Sequence, residues 1–108
     1  MPEFRTSNPR LFGRYKEALA SVKDVRLMEK PSGCESNYWL QTLVLSENAA
    51  VQRDEVLQAA NDAGLMMRPA WRLMHQLAPN QECPRAPLPV AESLERRILN
   101  LPSSAGLA

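Results

Sequence analysis

Hydrophobic positions in the first third of the chain recur with helical spacing. Leu11, Phe12, Tyr15, Ala18, Leu19 and Val22 stand at offsets of one, four, seven, eight and eleven from the first, which gathers them on one stripe of a helix. Arg10, Arg14, Lys16 and Glu17 take the wet side. Asn8-Pro9 supplies the start signal: asparagine caps exposed amides, and proline at the first helical position gives up an amide that has no partner there. Residues 1–7 are therefore expected to be a disordered or tag-like extension. The period then shortens to two. Val25 and Leu27 alternate with polar neighbours in a short strand near a sheet edge, and Lys30-Pro-Ser-Gly33 breaks it with turn residues. Ser36 to Leu45 is rich in aromatic and β-branched residues and becomes apolar on both faces towards its end, as a central strand does.

Helical spacing returns at Val56, Leu57, Ala60 and Ala63, with Asp54 and Glu55 in the first turn, where negative charge suits the helix dipole. Gly64 is placed to end this helix in a left-handed cap, and Leu65 to Arg68 reads as a strand running into Pro69. Strand, helix, strand is a crossover unit. Trp71, Leu73, Met74 and Leu77 suit a short helical turn, and the prolines at 79, 84, 87 and 89 allow no long element before Leu88. From there Val90, Ala91, Leu94 and Ile98 draw a last helical stripe, with Pro89 at its first position and Glu92 one turn from Arg96. Leu99 to Ser104 is extended, and residues 105–108 are expected to fray. The sum is an α+β, sandwich-like domain over residues 8–104: a small, mostly antiparallel sheet of three to four short strands packed by about three helices.

Composition supports one folded unit. With 44% hydrophobic and 23% charged residues, the 108-residue chain lies far from disorder and holds one modest core. A net charge of +1 leaves no electrostatic footprint for nucleic acid or anionic lipid. No apolar run approaches a membrane span or the core of a signal peptide, so a cytoplasmic protein is expected. Cys34 and Cys83 lack zinc-site spacing and read as reduced structural thiols.

Two clusters carry candidate chemistry. His75, four residues after Trp71, would share its face on a helical turn, and Arg68 enters the same neighbourhood. A cation, a planar ring and an imidazole together suit an anionic or ring-bearing ligand. From the residues alone a packing role comes first, because a lone histidine with no nearby nucleophile seldom catalyses. Asn37, Tyr38 and Trp39 sit where a loop enters a strand, a usual place for side chains to meet a ligand; for Asn37 and Tyr38 sheet packing is the equal alternative, and for Trp39 it is preferred. The acidic residues form no acid-base pair. Pro31-Ser-Gly-Cys34 is no phosphate loop, and Lys16, Lys23 and Lys30 include no candidate for a Schiff base, which needs a desolvated amine or a cationic neighbour.

Several stretches taken in order resemble one family: Leu11-Phe-Gly-Arg-Tyr-Lys-Glu-Ala-Leu19, Ser32-Gly-Cys-Glu-Ser-Asn-Tyr-Trp-Leu40, Gly64-Leu-Met-Met-Arg-Pro-Ala-Trp71 with His75, and Leu88-Pro-Val-Ala-Glu-Ser-Leu-Glu-Arg-Arg97 with Asn100-Leu-Pro-Ser-Ser104. They resemble the C-terminal, smaller domain of the DegT/DnrJ/EryC1/StrS nucleotide-sugar aminotransferases, nearest the legionaminic-acid-pathway type that aminates a UDP-linked keto sugar. The resemblance implies pyridoxal phosphate in the full-length enzymes, held by a lysine in a large domain. No position here matches that lysine, so the isolated chain is expected to carry no cofactor and to be non-catalytic. It also implies that Ser36, Asn37, Tyr38, Arg68, Trp71 and His75 face cofactor or sugar nucleotide.

Two partners follow as expectations: an aminotransferase large domain, or a second copy if the chain is a free-standing binding or oligomerisation module. A weaker reading builds an unrelated small enzyme on His75 and Cys83.

Overall fold

The computed structural model describes residues 2–107. Its elements run α1 (Pro2–Leu19), β1 (Val25–Leu27), β2 (Gln41–Leu45), α2 (Arg53–Asp62), β3 (Arg68–Pro69), α3 (Pro89–Glu95) and β4 (Ile98–Leu101). Single 3-10 turns lie at Ala50–Gln52, Met74–Gln76, Ala78–Asn80 and Ala105–Leu107. The four strands form one sheet in the order β1-β2-β4-β3, and every neighbouring pair is antiparallel. This is the expected α+β class. Since β2 and β3 both run against β4, they are parallel to each other, and α2 makes the crossover between them. The last strand is inserted into the gap.

Register sets the faces. Leu43 pairs with both Leu27 and Leu99, and Leu99 pairs with Pro69, so Leu27, Leu43, Leu45 and Leu99 share a face and form the core with Phe12 and Met67. Tyr15 and Leu19 of α1 and Leu57 and Ala60 of α2 pack on that cluster. Of the stripes read from sequence, Leu11, Phe12, Tyr15, Leu19, Leu57 and Ala60 are buried or half-buried, whereas Ala18, Val22, Val56, Ala63 and Val90 are exposed. The opposite face carries Arg26, Thr42, Val44, Ile98, Asn100 and Arg68 by alternation, and the Thr42 hydroxyl donates to Asn100 Oδ1 at 3.1 Å.

The helix α1 begins at Pro2 and passes through Pro9, which corrects both the expected start at Asn8 and the expected disorder of residues 2–7; Met1 lies outside the described residues. Pro9 removes one helical hydrogen bond, yet Ser7 and Asn8 are buried, and the Gln41 side chain donates to the Asn8 carbonyl at 3.2 Å. This tertiary contact outweighs the local start signal. At the other end, Arg14 Nη1 donates to the Leu107 carbonyl, and the Tyr15 hydroxyl donates to Pro102 O at 2.8 Å. Residues 105–107 are thus a turn held against α1 and not a frayed tail; Ala108 lies outside the described residues.

Other boundaries move for local reasons. Tyr38 has φ +46°, which no strand residue adopts, so the strand expected from Ser36 starts at Gln41. The strand expected from Leu65 shrinks to two residues because the Met67 amide turns back to the Leu65 carbonyl at 2.7 Å. Ile98 belongs to β4 instead of the last helix, because the Arg97 amide closes a turn on Leu94 O at 3.0 Å. Trp39 is 68% exposed, against the packing preferred for it, and both cysteines are free and exposed rather than structural.

The stop at Gly64 is as expected. Its φ is +81°, its amide donates to Asn61 O at 2.9 Å, and the Leu65 amide donates to Ala60 O at 2.8 Å: the paired bonds of a Schellman motif. A Cβ there would meet no atom within 4 Å, so Gly64→Ala is expected to lose about 1–2 kcal/mol from backbone conformation alone. A chemical-denaturation midpoint that does not move would contradict the left-handed cap.

Burial raises the Tyr15 phenol above its ordinary value, partly opposed by the Arg14 charge. A group whose folded value lies above its unfolded one contributes stability that is complete below the unfolded value, about 10, and lost as pH climbs through the folded one. Alkaline unfolding is therefore expected to ease in Tyr15→Phe, which has no phenol to ionise. Equal slopes of stability against pH above 10 in both proteins would refute this.

Candidate functional site

The loop before β2 is locked by its own side chains. Ser36 Oγ accepts the Tyr38 amide at 3.1 Å, and Asn37 Oδ1 accepts the Trp39 amide at 3.1 Å, two overlapping side-chain turns of the kind short polar residues favour. They fold the chain back at Tyr38. The Tyr38 ring stacks on Phe12 of α1, centroids 4.1 Å apart at 21°, and its hydroxyl receives the Lys30 amide at 3.5 Å. Beneath the loop, Gln41 is 1% exposed, and its Nε2 donates to Tyr38 O at 3.0 Å as well as to Asn8 O. One buried carboxamide thus ties helix, loop and strand together. Above it opens a concavity of about 760 Å³ lined by Pro9, Lys30, Glu35, Ser36, Asn37 and Tyr38. Ser36 and Asn37 are exposed there, and their side chains present polar atoms from a fixed backbone.

The second cluster is arranged differently from the sequence expectation. Residues 70–73 have no helical structure, so Trp71 does not share a helical face with His75; it is 85% exposed. His75 sits in the 3-10 turn with its side chain 11% exposed, and Nε2 lies 3.3 Å from Glu92 Oε1. Glu92 therefore faces His75 across the loop instead of pairing with Arg96. Arg68, on the edge strand β3, is exposed.

His75 and Cys83 do line a common concavity of about 440 Å³, with Met74, Arg85 and Leu88 among its walls. No hydrogen bond joins the two among the described residues. The Ser36–Tyr38 loop and His75 line separate concavities, and neither Arg68 nor Trp71 lines either one.

Gln41 and Phe12 are the positioning residues that sequence reading passed over. Gln41 was detectable as a carboxamide directly before the Leu43-Val44-Leu45 run of the central strand, because a buried polar side chain needs partners. Among the described residues no cluster of histidine, cysteine and carboxylate could hold a metal. Pyridoxal phosphate does not fit these residues as an aldimine partner: Lys16, Lys23 and Lys30 are all exposed, and Lys16 is engaged with Glu29 at 3.0 Å. None has the desolvated setting such a lysine needs. No described helix is long and apolar enough to cross a membrane.

Comparison with known proteins supplies the context. The GDP-perosamine synthase of Caulobacter vibrioides is 29% identical over 108 residues, covering 97% of this chain and 29% of that protein. The structure of DesI with its TDP-sugar product superposes with a TM-score of 0.89 at 28% identity, over 99% of this chain and 28% of DesI. The aminotransferase TlmJ from Streptoalloteichus hindustanus, at 24% identity, shares the fold with a TM-score of 0.86, over 100% of this chain and 28% of TlmJ. The chain thus spans less than a third of each of these relatives. A sequence profile of the DegT/DnrJ/EryC1/StrS aminotransferase family matches residues 1–108, and the chain belongs to that family.

Proposed function

We propose that this chain is the C-terminal, smaller unit of a pyridoxal-phosphate-dependent nucleotide-sugar aminotransferase of the legionaminic-acid-pathway type. Such an enzyme transfers an amino group to a UDP-linked keto sugar for surface-polysaccharide synthesis. The carrying observation is the pinned Ser36-Asn37-Tyr38 turn over its concavity. Its polar side chains are exposed on a backbone fixed by four hydrogen bonds and a ring stack, which is how a site holds a ligand without reordering itself. On this reading Ser36 and Asn37 hydrogen-bond and orient the sugar nucleotide, Tyr38 shapes the wall, and the lysine-bearing chemistry belongs to another part of the polypeptide. Arg68, Trp71 and His75, apart from that turn in this chain, face the cleft only as part of the larger assembly.

The test supplies the chain with a lysine-bearing large unit from a family member and measures amino transfer to a keto-sugar nucleotide. Transfer is expected, and Asn37→Ala is expected to lower it about tenfold, the size of one or two hydrogen bonds lost from substrate. Neither association nor transfer with any such unit would sink the reading. The second reading, a free-standing binding or oligomerisation module, is favoured by the exposure of Trp71 and Met74, at 85% and 70%. A strictly monomeric species across a wide concentration range in light scattering would remove it.

A further inference from the structure

We propose that the joint between α1 and the loop before β2 is completed by one enclosed water molecule, which donates its two hydrogens to Asn8 Oδ1 and Gln41 Oε1 and accepts the Ser7 hydroxyl. Such a water lies behind the candidate site and does not depend on the aminotransferase reading.

Three buried side chains carry the inference. Ser7, Asn8 and Gln41 are 6%, 7% and 1% exposed, yet Ser7 Oγ, Asn8 Oδ1 and Gln41 Oε1 meet no hydrogen-bond partner among the described residues. Buried polar atoms are nearly always paired, with protein or with ordered water. All three belong to one place. Ser7 and Asn8 are consecutive in α1, and the Gln41 carboxamide lies against that turn, its Nε2 donating to the Asn8 carbonyl at 3.2 Å.

The chemistry of the set names the guest. Gln41 cannot turn its carboxamide over, because Nε2 serves two carbonyl oxygens, those of Asn8 and Tyr38, and a carbonyl only accepts. Oε1 is therefore held as an acceptor, and Asn8 Oδ1 is a second. The one proton of the Ser7 hydroxyl can satisfy either oxygen but not both, so a further donor is required. A water supplies two donors and takes the serine proton, which makes the three bonds usual for an enclosed water. A cation fits poorly, since three neutral oxygens bring no charge to offset its desolvation.

The water also bears on the loop. The carboxamide it holds is the one that holds the Tyr38 carbonyl, and the Tyr38 and Trp39 amides close the turns that present Ser36 and Asn37.

Magnetic cross-relaxation between water and the Gln41 side-chain amide protons tests this in the full chain, labelled with nitrogen-15. Cross peaks are expected with the sign of a water that tumbles with the protein. Asn8→Leu, which takes away one acceptor and fills its space, is expected to abolish them while the Ser7 hydroxyl stays. Absence of the peaks in the unaltered chain overturns the proposal; so does their survival in Asn8→Leu, which would trace them to exchange through that hydroxyl. A crystal structure of the unaltered chain gives a second reading that needs no variant. Solvent density is expected at about 2.7–3.0 Å from all three atoms, and a basic side chain in that place, or an Asn8 amide turned to donate directly to Gln41 Oε1, overturns the proposal.

Discussion

Leu99→Ala is expected to cost about 2–5 kcal/mol, the range for truncating a fully buried leucine whose surroundings relax only in part. Leu99 is 0% exposed, joins Leu43 on one side to Pro69 on the other, and sits within the cluster of Phe12, Leu27, Leu45 and Met67. The strand carrying it is held on both edges by neighbouring strands, so the backbone cannot follow the lost atoms inward. Against a total stability of about 5–15 kcal/mol for a domain of this size, the melting temperature is expected to fall by more than about 10 °C. Val51→Ala is the control: Val51 is 84% exposed, and surface changes of that kind stay within about 0.5 kcal/mol. Calorimetry on both variants decides the matter, and a loss below about 1 kcal/mol at Leu99 would mean that the core is not assembled around β4.

Gln41→Ala is expected to have the second largest effect, about 2–3 kcal/mol, because it removes one buried and one part-buried hydrogen bond and leaves the Asn8 and Tyr38 carbonyls without that donor. Its consequence for the candidate site is more specific than lost stability. Tyr38 is held at φ +46°, a conformation that costs a tyrosine about 1–2 kcal/mol and persists only where its surroundings enforce it. Without Gln41 the loop is expected to relax, and the Phe12–Tyr38 stack with it, seen as loss of near-ultraviolet circular dichroism while the far-ultraviolet helix signal stays. Gln41→Glu sharpens the test. A buried carboxylate donates nothing and is poorly solvated, whereas its protonated form regains one donor, so this variant is expected to be more stable at pH 5 than at pH 8. A near-ultraviolet spectrum unchanged in Gln41→Ala would separate the glutamine from the loop.

The helices and the core were legible in the sequence for the reason that period reports burial. Phe12, Tyr15 and Leu19 of the first stripe and Leu57 and Ala60 of the second lie in or against the core, and the central place of β2 follows from its being apolar on both faces. Gly64 was readable because only glycine takes that cap without strain. What was not legible depends on residues far apart in the chain. Nothing near Pro9 announces that Gln41, 32 positions on, will hold the helix intact before it.

The left-handed turn at Tyr38 required Phe12 to stack on it and Gln41 to hold its carbonyl. Glu92 had a helical neighbour of opposite charge in Arg96 and meets His75 through the fold instead. For the candidate site, the loop-to-strand position of Ser36, Asn37 and Tyr38 was visible as composition, but the two turns that orient them were not. The spatial separation of that loop from His75 follows from topology, which periodicity does not encode.

The place of β4 between β2 and β3 has a consequence for how the domain comes into being during synthesis. Residues 41–45 and 68–69 are made early and are not neighbours in the sheet; each is bonded to a strand that the ribosome delivers about thirty residues after β3. Until residues 98–101 emerge, Leu43 lacks its β4 neighbour and β3 has nothing to pair with, so the sheet cannot grow strand by strand as translation proceeds. Its closure is a late, long-range event of the kind that slows folding. A ribosome-stalled chain lacking those last strand residues is one that chaperones would be expected to hold.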